Sequence, residues 1–85
     1  MRDLILFIAR NLVDTPEAVQ VRVLRNDRHA AVFSLRVDPN DLGKVIGREG
    51  RVAKAMRNLM RAASQGDQRR IALEIDDRGR PRPQA

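Results

Sequence analysis

The chain has 85 residues, 42% of them hydrophobic, which is enough for one small domain with a thin core. It contains no cysteine, which excludes disulfides, thiolate nucleophiles and zinc–thiolate sites and points to a reducing compartment such as the cytoplasm. Seventeen Lys and Arg against eleven Asp and Glu give a net charge of +6, a balance that favours a polyanion, nucleic acid first.

No apolar run approaches the roughly 20 residues that span a bilayer. The short run over residues 4–9 follows Asp3 and is broken by Arg10, so it does not read as a signal peptide. Leu4, Ile5, Ile8, Ala9 and Leu12 recur at helical spacing and predict a helix over residues 3–13, stopped by Asp14-Thr15-Pro16. Val19, Val21 and Val23 alternate with polar residues as a half-buried strand does, with Leu24 out of step. After the polar turn 26–29, Ala31, Phe33, Leu35 and Val37 predict a second strand that pairs with the first as a hairpin.

Asp38 and Pro39 mark a helix start, the first as a cap and the second as a residue whose missing N–H costs nothing there. That helix is short, about 39–46, because Gly47 stands where a helix-ending residue is expected. A further helix restarts after Gly50 and runs to about Ala63. After the loop 64–68, Ile71, Leu73 and Ile75 share one face of a third strand. Residues 77–85 are rich in Arg and Pro and read as a disordered tail beyond a domain over 1–76. The order helix–strand–strand–helix–helix–strand is α+β, with helices packed on one face of a three-stranded sheet.

The chemistry concentrates at Gly47-Arg48-Glu49-Gly50, where the two helices meet. Glycine at both ends permits left-handed dihedrals and offers bare backbone to a ligand. The first N–H groups of the next helix are unpaired and carry positive partial charge, which suits a phosphate. On a helical wheel Arg51, Lys54, Arg57, Asn58 and Arg61 share one arc, while Val52, Met56, Leu59, Met60 and Ala63 lie opposite. With Lys44 and Arg48, most of the net charge gathers on this helix pair, as a phosphate-tracking groove requires.

In this order of elements, Val45-Ile46-Gly47-Arg48-Glu49-Gly50-Arg51 resembles the GxxG loop of a KH domain in its type II arrangement. The similarity covers residues 1–76 and extends to the small stand-alone bacterial KH-domain RNA-binding proteins. It implies a loop that clamps the backbone of about four single-stranded nucleotides, their bases lying on an apolar floor. By this resemblance Gly47, Arg48, Glu49 and Gly50 are the clamp, Val45, Ile46 and Val52 the floor, and residues 64–68 the variable loop at the rim. It further implies a homodimer, or pairing with a larger KH-containing protein, and roles in RNA chaperoning or in cell-envelope and division control. Glu49 departs from the pattern, since an acid in the loop repels phosphate unless it faces solvent or pairs with Arg51 or Lys54.

Other readings of the same residues compete with this one. Single-stranded DNA has a backbone that the same clamp would hold, and a protein-docking module with incidental RNA binding is the rival from another class. Catalysis has little to work with: the hydroxyls of Thr15, Ser34 and Ser64 have no histidine beside them in a motif, and His29 has no metal-ligand partners. Gly43-Lys44 is not a nucleotide P-loop, because Asp38 stands where its first glycine belongs and Val45 where Ser or Thr belongs. The expectation is therefore a non-enzymatic domain without a cofactor. The absence of Trp and Tyr argues against strong stacking platforms and high sequence specificity.

Overall fold

The computed structural model describes residues 1–76, so the expected tail over 77–85 lies outside the described residues. Helix α1 spans Arg2–Leu12, with Asp3 in its first turn and Arg10 in its last, each at the end its charge favours. Ile5 and Ala9 are buried and Leu4 and Ile8 half-buried, so the apolar stripe is narrower than expected. Leu12 lies at its rim, and Phe7, on the far side, is 68% exposed.

Strands β1 (Gln20–Asn26) and β2 (Ala30–Arg36) form the expected antiparallel hairpin, pairing Val21 with Leu35 and Val23 with Phe33. The register slips between Val23 and Arg25, which makes Leu24 the extra residue of a bulge and explains why it broke the alternation. The connecting turn is organised by Asp27, whose carboxylate accepts from the N–H groups of His29 and Ala30 at 2.8 and 2.9 Å and from Arg25 Nε at 2.6 Å. The Arg25 contact and those two N–H groups lower its pKa from 3.8 to about 2. A depressed carboxylate pKa stabilises the fold above the unfolded value, and that contribution is lost as pH falls through the folded one. The melting temperature should therefore drop between about pH 4 and pH 2, and thermal melts of Asp27→Asn should show a shallower drop over that window.

The helix predicted over 39–46 divides in two. Asp38 accepts the Asn40 N–H at 2.9 Å and its carbonyl accepts the Asp41 N–H at 2.8 Å, which tightens Pro39–Asp41 into a 3-10 turn. Helix α2 proper is Leu42–Ile46, and α3 is Arg51–Ala63. Together they form the crossover that lets β3 (Arg70–Ile75) pair parallel to β2, giving the sheet order β1-β2-β3.

Alternation along the strands sends Val21, Phe33, Leu35 and Leu73 toward the helices, where they join Ile5, Val45, Met56 and Met60 in one core. Ile5, Leu35, Met56 and Val45 are the largest fully buried side chains. Each contributes about 1.5–3 kcal/mol by leaving water. The three helices and the mixed three-stranded sheet match the α+β layout expected from the sequence. No helix among the described residues is long and apolar enough to cross a membrane.

Candidate nucleic-acid interface

Helix α2 ends because Gly47 takes φ 75° and ψ 173°, a conformation open essentially to glycine alone, while its N–H donates to the Gly43 carbonyl at 2.8 Å. Glu49 (φ 56°, ψ 26°) and Gly50 (φ 74°, ψ 15°) then adopt left-handed dihedrals, and Arg51 begins α3. The Gly50 N–H donates to the Gly47 carbonyl at 3.2 Å, but no turn or cap bond uses the N–H of Arg48 or Glu49. The loop thus presents unspent backbone donors with the exposed side chain of Arg48 beside them.

The two glycines are required for different reasons. A Cβ on Gly47 would lie 2.4 Å from Val52 Cγ2 and 2.8 Å from the Val52 nitrogen, so the absent side chain is what lets α2 and α3 approach. A Cβ on Gly50 would meet nothing within 4 Å. There glycine serves the dihedral angle and leaves the outer surface of the loop open.

The expected acid problem has a local answer. The carboxylate of Glu49 lies 3.9 Å from Arg51, with both side chains about three-quarters exposed, so the pair is loose and solvent-screened. Arg48, Arg51, Lys54, Asn58 and Arg61 are all exposed along α3 and its entry.

Other expected site residues sit differently. Val45 is fully buried, so it supports the apolar floor from beneath and cannot touch a ligand; Ile46 and Val52, half-exposed, are the floor residues at the surface. Lys44 forms an ion pair with Asp14 and lies 3.5 Å from Asp41, which points it to the loop after α1. The Asp14 contact raises its pKa. Its charge is answered within the fold, unlike that of Arg48.

Asp41 is 2% exposed, the one buried charged group among the described residues, and accepts the Thr15 N–H at 3.0 Å. Burial pushes its carboxyl up, but the N–H groups of Thr15 and Asp14 and the Lys44 ammonium outweigh it and hold the pKa below the usual carboxylate range. The residue was legible in the sequence only as a charge near a helix start; its role in fastening the base of α2 depends on a contact 26 positions away.

Arg57 also does something the wheel did not reveal. Its Nε and Nη2 donate to the Leu73 carbonyl at 3.2 and 3.0 Å. The Arg70 and Asp76 N–H groups donate to carbonyls of His29 and Leu35 on the β2 side, so by the two-residue repeat the backbone groups of Ile71, Leu73 and Ile75 face the open edge. Arg57 therefore caps that edge at one point and joins α3 to β3. Beside this contact lies a cavity of about 210 Å³, lined by Arg57, Arg61 and Arg70 over Met60, Ile71 and Leu73.

The loop after α3 lies at the far end of that helix from Gly50, about 20 Å away. Arg69 pairs with Asp67 and reaches Asn26, riveting the loop to the hairpin. Among the described residues no cluster of His, Cys, Asp and Glu is placed to hold a metal ion.

Residues 2–75 match the family model described as KhpA/KhpB, KH domain. The chain is 44% identical over 77 residues to a protein of Halalkalibacterium halodurans named RNA-binding protein KhpA, covering 91% of this chain and 100% of that one. Proteins of the same name from Clostridium acetobutylicum and Aquifex aeolicus are 41% and 39% identical over 75 residues, covering 88% of this chain and 99% and 94% of theirs. No solved structure matches the chain. With a family match across all but the first and last residues of the described region, the chain belongs to the KhpA/KhpB family of KH domains.

Proposed function

We propose that this chain binds single-stranded RNA across the Gly47–Gly50 loop and the groove between α3 and the open edge of β3, without catalysing a reaction. The carrying observation is the run of positive φ at Gly47, Glu49 and Gly50, which leaves the N–H groups of Arg48 and Glu49 unspent next to a free guanidinium. Phosphates are held there by backbone donors and by Arg48, Arg51 and Lys54. The half-exposed Ile46 and Val52 receive bases, and the outward backbone groups of β3 meet base edges. The relatives named RNA-binding protein KhpA support this reading.

One loop touches few nucleotides, so useful affinity calls for a second site through another copy or a larger KH-containing partner. Phe7 and Leu59, both more than half exposed, are apolar side chains available to such a contact. An RNA-chaperone role in the cytoplasm follows from low base specificity combined with electrostatic holding.

Salt dependence tests the reading. Three or four phosphate contacts on a single strand give a slope of about −2 to −3 for log K against log salt. Fluorescence titration of a short single-stranded RNA should return that value. A flat line would favour a protein-docking role.

A further inference from the structure

The face of the sheet turned away from the helices carries its own cationic surface. Val21, Phe33, Leu35 and Leu73 point into the core, so the residues between them face outward. Register sets Arg36 beside Gln20, then Arg22 beside Ser34 and Glu74, then Arg25 beside Val32 and Ala72, then Arg70 beside Ala30. The seven residues of β2, Ala30–Arg36, make this surface about 20 Å long.

Its centre is low and flat, because Val32, Ser34 and Ala72 are short and half-buried. Arg25 is neutralised by Asp27, and the strand alternation places two acids on this face, Glu74 and, just past the end of β3, Asp76 beside Arg36. Arg22, Arg36 and Arg70 are exposed and form no ion pair among the described residues. Three guanidinium groups outside any ion pair, set around a flat centre, complement a phosphodiester chain, which arginine grips through paired N–H donors.

The two surfaces are continuous. Arg70 and Ala72 belong to the outward face, yet both line the cavity that holds Arg57 and Arg61. Cations therefore run from the groove, around the edge strand β3, and onto the back of the sheet.

We propose that this helix-free face is a second RNA-backbone site, holding the stretch of strand that continues past the groove. The inference rests on the groove binding RNA, and it predicts that affinity grows with strand length beyond what one loop can contact. The test is Arg22→Gln combined with Arg36→Gln, two exposed positions outside the groove, measured against hexanucleotide and 20-nucleotide single strands (lengths of about 6 and 20). The hexanucleotide should bind as it does to the parent. Affinity for the longer strand should fall about tenfold, and its salt slope should become shallower by about 1.4, two contacts at about 0.7 each. Equal affinity and slope for the longer strand in parent and variant would overturn the second site, as would a loss confined to an acidic polypeptide such as polyglutamate. Hexanucleotide binding that survives substitution in the Gly47–Gly50 loop would instead count against the groove, so the two failures are distinguishable.

Discussion

Replacing Gly47 with alanine should destabilise the domain by about 3 kcal/mol, the sum of a disallowed backbone conformation and overpacking. For a domain of this size that corresponds to about 12–24 °C in melting temperature. Both contributions are local: φ 75° with ψ 173° excludes a side chain, and the new Cβ would sit 2.4 Å from Val52 Cγ2. The backbone nitrogen of Val52, at 2.8 Å, cannot rotate aside as a side chain would. The first turn of α3 must shift instead. Gly50→Ala is the control, since it has the same sign of φ but open space around the Cβ. It should cost only about 1–2 kcal/mol, and Gly50→Asn less. Thermal melts of the three variants check the ordering, and equal costs at the two glycines would contradict the packing assigned to the loop.

Substituting Asp for both Arg48 and Glu49 should abolish most RNA binding while leaving the fold intact. Both side chains are exposed, and Asp is among the residues that tolerate the left-handed conformation found at position 49. Stability should therefore change by no more than about 0.5 kcal/mol. Binding loses a charge-assisted contact of about 1.5–3 kcal/mol, roughly a 10- to 150-fold fall in affinity, and the added carboxylate repels the backbone further. The measurement is a titration with single-stranded RNA alongside a thermal melt. Unchanged affinity in a folded variant would remove the loop from the binding surface.

Much of this architecture was legible because it is written in local chemistry. Asp38-Pro39 announces a helix start through capping and a fixed φ, and glycines at 47 and 50 announce a left-handed link whatever surrounds them. What stayed hidden depends on residues distant in sequence. Val45 and Ile46 are similar side chains in a helix of five residues, too short for periodicity to tell which one is buried. Lys44 counted toward the groove because its partner Asp14 lies 30 positions earlier. Arg57 meets a backbone carbonyl, and no side chain encodes which carbonyl will be free at a sheet edge. The bulge at Leu24 falls between these cases: the break in alternation was visible, but only strand pairing gave it meaning.

Amide chemical-shift mapping during titration of the isotope-labelled protein with a short single-stranded RNA addresses the loop directly. The largest shifts should fall on residues 47–51, around the unspent N–H groups of Arg48 and Glu49 that meet phosphate, with smaller ones at Ile71, Leu73 and Ile75 along the strand edge. Shifts that leave residues 47–51 unmoved while the RNA is bound would contradict the assignment.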